Sequence, residues 1–267
     1  MNVRGISTGM YGWTERWKAD GKEPAFAELF RACAEAGIDA VEIDATPETL
    51  ALARSFGLAV SASYVGLPLH VPYADIDADR TVMPFAERLA EAGGTDLLLN
   101  ADPKGSWRER QPKTDDDLKR QGENLTRIAE RVGTLGLNVC MHNHADSKAL
   151  CEADLRSVVE FAGESVGLCV DTGWAHSAGC DPTEWVRQYP ERVFAFHLRN
   201  QSGRVPTEDL TEGDIDFAGL FRAAEAANYE GWLALELWHP PETKPVRSMV
   251  EDTVRSIAFV NRLLNRP

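Results

Sequence analysis

The chain has 267 residues, with 28 Lys and Arg against 42 Asp and Glu, a formal net charge of −14 and 43% hydrophobic residues. Such a charge repels phosphate backbones and anionic lipid headgroups, which argues against nucleic acid and membrane surfaces as partners but not against a small anionic substrate in a locally basic pocket. No run of about 18 apolar residues offers a membrane span, and the opening MNVRGISTGMYGW lacks the charged-then-apolar order of a secretory leader. The five cysteines (33, 140, 151, 169 and 180) contain no Cys-x-x-Cys, so a reducing cytoplasm is expected in preference to a disulfide framework or zinc finger.

Short apolar runs alternate with stretches of helical period. In chain order the pattern predicts strand 3–8, helix 23–36, strand 40–43, helix 47–56, strand 58–63, helix 77–92, strand 96–100 and helix 114–135. It continues with strand 138–142, helix 148–162, strand 167–171, helix 182–189, strand 193–197, helix 216–228, strand 232–236 and helix 246–264. Gly37, Gly57 and Gly136 stand where helices should stop. AEAGIDAVEID, AEAGGTDLLLN and AEAANYEGWLALE repeat one helix-end, turn, strand unit. Eight such units predict an α/β fold, a single (β/α)8 TIM barrel domain over 1–267. An open doubly wound sheet is the competitor, but no Gly-x-Gly-x-x-Gly follows the first strand and no P-loop occurs.

Alternate residues of a barrel strand point inward and outward. Phe194, Phe196 and Leu198 alternate with Val193, Ala195 and His197; Leu233, Leu235 and Leu237 with Ala234, Glu236 and Trp238. Leu168 and Val170 alternate with Cys169 and Asp171, Val139 and Met141 with Cys140, His142 and His144, and Val41 and Ile43 with Ala40 and Glu42. The inward face thus carries a small residue, then an ionisable one at the carboxyl end, where barrel active sites lie. His142, Asp171, His197 and Glu236, spaced by 29, 26 and 39 residues, are therefore expected to converge from four consecutive strands. Two imidazoles and two carboxylates suit one divalent ion: Mn2+, Zn2+, Co2+ or Mg2+.

All six histidines (70, 142, 144, 176, 197 and 239) fall at or just beyond a predicted strand's carboxyl end, and Trp13, Trp174 and Trp238 just past strands one, six and eight. Tryptophan faces beside a polar centre suit the C–H faces of a carbohydrate or polyol. The expected substrate contacts are Trp13, His70, Asn100, Trp174, His176, Arg199 and Trp238.

NVCMHNH, VGLCVDTGWAHSAGCDP, RVFAFHLRN and LTEGDIDFAGLFRAAEAANYEGWLALE together resemble the motifs of strands five to eight in the xylose-isomerase-like barrel family, in its sugar phosphate isomerase/epimerase and inosose-dehydratase-like branch. The resemblance covers most of the chain and is strongest over about 128–237. It implies a divalent metal on His142, Asp171, His197 and Glu236, Mn2+ first, holding two vicinal oxygens of a ketose, aldose or inosose while carboxylates move a proton at the neighbouring carbon. Homo-oligomers are common among similar proteins.

The sequence departs from the family pattern in places. Isomerases and epimerases of the family usually carry Glu where His142 stands, and only Glu236 of the usual pair of proton-transferring Glu residues is present. A second base would have to be His144, Glu42 or His176. Arg199 and Asn200 replace Lys-Asp, and Thr211 replaces a Gly. The expected activity is a metal-dependent isomerase or epimerase of a sugar or keto-sugar. The alternative is a carbohydrate dehydratase or lyase, inosose-dehydratase-like or keto-glycoside-cleaving, with Glu236 or Glu42 as base and His144 as acid. Two rivals come from other classes: a barrel that only binds sugar, and an abasic-site endonuclease, for which the −14 charge is unsuited.

Overall fold

The computed structural model describes residues 1–145 and 147–266. Strands β1 (Ile6–Gly9), β2 (Ala40–Glu42), β3 (Ala59–Leu67), β4 (Asp96–Ala101), β5 (Asn138–His142), β6 (Val166–Asp171), β7 (Val193–Leu198) and β8 (Leu233–Leu235) form the barrel. They close in the order β1-β8-β7-β6-β5-β4-β3-β2, with every neighbouring pair parallel. Around them run α1 (Met10–Ala19), α2 (Phe26–Ala36), α3 (Pro47–Ser55), α4 (Met83–Ala92), α5 (Asp115–Gly133), α6 (Lys148–Val159), α7 (Thr172–Ser177), α8 (Pro182–Gln188), α9 (Phe217–Ala226) and α10 (Met249–Leu263). This is the (β/α)8 barrel that the alternating pattern predicts.

Local chemistry sets the element ends. Thr114 and Asp117 form a reciprocal capping box at the start of α5, with Asp115 and Asp116 beside the positive end of the helix. Gly37 ends α2 in the left-handed region, at φ 87°. The predicted helix 77–92 is interrupted at Val82, because Pro84 opens α4 and lacks an N–H to continue the preceding turn. The segment after β1, read from sequence as connection, is α1. Gly12 masks its helical character, yet the close approach of α1 to the Leu237 backbone leaves no room there for a Cβ.

The core has two layers. The larger lies between strands and helices. The smaller fills the barrel with Ala62, Leu98, Cys140, Cys169 and Ala195; of these, Cys140, Cys169 and Ala195 are the small inward residues expected from alternation. Phe194 corrects that pattern. A bulge pairs Leu168 with Val193 but Cys169 with Ala195, so Phe194 is left over and packs on the inner cluster. All five cysteines are free and buried. Among the described residues no helix is long and apolar enough to cross a membrane.

Candidate active site

Strand register aligns the carboxyl ends of β5 to β8. His142 stands beside Cys169, and Asp171 beside His197, which is itself beside Ala234, two residues before Glu236. One donor atom from each of His142, Asp171, His197 and Glu236 lies within 4.8 Å of all the others. The nearest approaches are His142 Nε2 to Asp171 Oδ2 at 3.4 Å and His197 Nδ1 to Glu236 Oε2 at 3.4 Å. These four atoms are buried and have no hydrogen-bond partner. Orphaned buried donors of this kind carry a desolvation cost unless something is held between them, and mixed imidazole and carboxylate donors fit a divalent ion.

Other groups hold the four in place. Asp171 Oδ1 accepts from Trp174 N at 2.7 Å, capping α7, and faces Arg199 Nη2 at 3.4 Å, which leaves Oδ2 turned to the cluster. Asn143 donates to Asp171 O at 3.0 Å and accepts from Asp171 N at 2.7 Å, tying the ends of β5 and β6 together. Glu42 sits against His197 Nε2, at 3.3 Å from Oε1 and 3.0 Å from Oε2, the carboxylate–imidazole pairing that fixes which ring nitrogen faces an ion.

These contacts shift the proton affinities of the site groups. Burial, then the Asp171 carboxylate, raises Glu236. Burial opposes charge on Asp171, but Arg199, with contacts to Glu236 and His142, outweighs it and holds the carboxyl well below the usual range. Burial likewise opposes charge on His197, yet Cys169, Glu42 and Glu236 push the imidazole well above its ordinary value. His144 is pushed down to about 3 by burial and by neighbouring His142. Both effects favour its neutral imidazole.

His142, His197 and Glu236 of the cluster line a cavity of about 830 Å³, while Asp171 is fully buried outside that lining. Asn100, His144, Trp174, Arg199 and Trp238 line it too. Arg199 is buried between Trp174 and Trp238, its guanidinium carbon 5.3 and 5.7 Å from the ring centroids, and its Nε has no partner. Three expected contacts lie elsewhere. Trp13 is fully buried on the inner face of α1, donating from Nε1 to Thr8 Oγ1 at 3.1 Å. His70 sits beyond β3, outside the cavity lining, where Arg120 donates to its carbonyl at 3.3 Å. His176 belongs to α7 and not to a strand end, and its Nε2 faces Asp214 Oδ2 at 3.7 Å. Glu42 also lines the cavity but is engaged by His197.

The sequence reading missed Tyr11, Phe26, Tyr64 and Trp107, all of which line the cavity. Tyr64 carried a usable signal: β3 extends to Leu67, so Ala62 followed by Tyr64 repeats the small-then-functional inward pattern. Trp107 stands between the two strands of a small hairpin, Lys104–Gly105 and Arg110–Gln111, for which no pattern was apparent.

The family model described as Xylose isomerase-like TIM barrel matches residues 30–260. The chain belongs to that family. Rhizopine catabolism protein MocC of Rhizobium meliloti is 23% identical over 193 residues, 62% of this chain and 59% of that protein. Inosose dehydratase of Lacticaseibacillus casei is 22% identical over 147 residues, 48% of this chain and 49% of that protein. The chain thus spans about half to three-fifths of the length of these two relatives, whereas the match to inosose dehydratase of Yersinia enterocolitica, at 22% identity, covers 86% of this chain and 88% of that protein. Among solved structures, D-allulose 3-epimerase from Methylomonas sp. in complex with D-allulose superposes with a TM-score of 0.72 at 17% identity, over 98% of each chain. 3-Keto-D-glucoside 4-epimerase from E. coli gives 0.71 at 18%, over 97% of this chain and 99% of that one. At such identities the structural likeness is one of fold.

Proposed function

We propose that this chain is a divalent-metal-dependent isomerase or epimerase, moving a proton at the carbon beside the carbonyl of a sugar or keto-sugar. The observation that carries this reading is the set of four orphaned donor atoms on β5 to β8, with Glu236 among them, beside a cavity. His142, Asp171, His197 and Glu236 would hold the ion. Mn2+ is the first choice, as the family resemblance implies, with Zn2+, Co2+ and Mg2+ as alternatives for this mixed imidazole and carboxylate set. When bound, the ion supplies Lewis-acid stabilisation of charge developing on the carbonyl oxygen.

Glu236 is the base. Its carboxylate lines the cavity beside the position an ion and a substrate carbonyl would take, within reach of the neighbouring carbon. Glu42 positions His197 and does not itself move protons. Arg199, pinned between two indoles with Nε free, and Asn100, whose Oδ1 is buried without a partner, orient substrate hydroxyls. Neutral His144 exchanges hydrogen bonds with a hydroxyl without carrying charge. Trp174 and Trp238 line the cavity and keep water from the reacting carbon.

One observation favours a second reading. The cluster has a histidine, His142, and no second glutamate on the strand preceding Asp171. A single base suffices for a dehydratase, which removes a proton and expels a hydroxyl from the next carbon. The experiment is incubation of Mn2+-loaded protein in D2O with ketoses, aldoses, inososes and keto-glucosides. Deuterium entering beside the carbonyl of recovered sugar, lost in Glu236→Gln, is expected. Accumulation of an unsaturated product would select the dehydratase, and the absence of both signals across the panel would overturn proton transfer.

A further inference from the structure

We propose that helix α1 is the clamp that aims Glu236, with Thr8 and His239 as the positioning residues through which it acts. The proposal rests on the reading that Glu236 is both a metal ligand and the base. Of the four cluster residues, His142, Asp171 and His197 lie within strands, whereas Glu236 follows β8, which ends at Leu235. Its N–H still reaches Leu198 O on β7, at 3.0 Å. Toward β1 the ladder stops at the pairing of Thr8 with Leu235. A carboxylate on a segment that has left its sheet is aimed only if something else grips the chain.

α1 supplies that grip. The residues it buries are Gly12, Trp13 and Arg16, where the inner face of a surface helix is ordinarily an apolar stripe. Each of the three bears on residues 235–239. Trp13 Nε1 donates to Thr8 Oγ1 at 3.1 Å, and that hydroxyl donates to Leu235 O at 2.8 Å. At Gly12 a Cβ would fall 1.7 Å from Leu237 O, so the helix backbone rests on that carbonyl. Arg16 Nη1 meets His239 Nδ1 at 3.0 Å. Residues 235, 237 and 239 are thus held by α1 and β1, while Glu236 and Trp238 between them line the cavity.

The Arg16 contact also fixes the imidazole. A guanidinium only donates and a carbonyl only accepts, so Nδ1 is the acceptor and Nε2, 2.8 Å from Glu208 O, carries the proton. Asp252 Oδ2 stands further off, 3.7 Å from the same nitrogen. Arg16 is itself anchored, its Nε donating to Asp20 at 2.9 Å and its Nη2 to Arg247 O at 2.8 Å. His239 therefore joins α1 to the loop after β7 by two directional bonds, three residues beyond the carboxylate they steady.

The test is titration of metal-free protein with Mn2+, alongside deuterium exchange with the sugar panel. His239→Leu and Thr8→Val should each weaken Mn2+ by about tenfold, the lower end of the cost of losing a group that orients a ligand, and slow exchange with the KM for sugar unchanged. His239→Asn, which keeps an acceptor for Arg16, and Thr8→Ser, which keeps the hydroxyl, should restore both. On a Glu236→Gln background His239→Leu and Thr8→Val should cause no further loss of Mn2+ affinity, because they act through Glu236. Should stranding the Arg16 guanidinium unfold His239→Leu, as read by circular dichroism, Thr8→Val carries the cycle. Losses that multiply with Glu236→Gln, Mn2+ affinity unchanged in a folded variant, or no rescue by Asn and Ser would overturn the clamp. Coupled Mn2+ losses with no exchange in wild type would overturn the proposed reaction and leave the clamp standing. Wild-type protein that binds no Mn2+ would overturn both.

Discussion

At the scale of single residues, the site divides between groups that could touch an ion and groups that aim them. Asp171 does both, one oxygen capping α7 and the other turned to the cluster. Asp171→Ala should therefore abolish tight Mn2+ binding, read by metal content after gel filtration, and unchanged stoichiometry would remove it from the ligand set. Glu42→Gln should instead weaken Mn2+ by about 10–100-fold, the usual cost of losing an outer carboxylate, with deuterium exchange largely restored at saturating metal. A complete loss at saturation would make Glu42 a proton carrier. The clustering of His142, Asp171, His197 and Glu236 was legible because strand alternation is a strict period of two and their inward neighbours Cys140, Cys169, Ala195 and Ala234 are small. Trp13, His70 and His176 were misplaced because sequence position just past a strand says nothing of direction. The chain there turns into α1, a loop and α7, and each helix faces its own way.

At the scale of elements, sequence periodicity gave all eight barrel strands and lost the pieces decorating their ends. Two-residue hairpin strands and a helix built around Gly12 have too few residues for a period to emerge. Gly12→Ala tests the seat of α1: a Cβ there would collide with the Leu237 carbonyl. The strain should cost about 1–3 kcal/mol, seen as a lower urea midpoint with unchanged m-value; an unshifted midpoint would mean that α1 can lift away freely. Asp117 joins two elements, capping α5 and pairing with Lys104 of the hairpin at 2.7 Å. Burial favours its proton, but Lys104 and Thr114 prevail and hold its carboxyl well below the ordinary 3.8. A folded value below the unfolded one gives stabilisation that is complete above about pH 4 and is lost as pH falls. Asp117→Asn should cost about 1 kcal/mol near neutrality and flatten the acid limb of Tm against pH; a parallel limb would assign acid sensitivity elsewhere.

At the scale of the molecule, an ion on β5 to β8 would tie together four strands that are far apart in sequence. Binding only to the folded state raises stability by about 2.7 kcal/mol at a hundred times Kd, or roughly 5–10 °C for a chain of this size. Mn2+ should raise Tm by that amount and EDTA should reverse it, in wild type and not in Asp171→Ala. No shift in wild type would leave the cluster without an ion. The cavity lining is split along the same lines as the fold: its donor atoms come from the ends of barrel strands, while Tyr11, Phe26 and Trp107 come from two outer helices and a hairpin. A duplicated copy could drift at those three positions, trading one ring for another or for a polar group, without moving a donor atom in the barrel. New substrates would then become accessible through single substitutions outside the barrel, while the inherited chemistry at the strand ends stayed intact throughout.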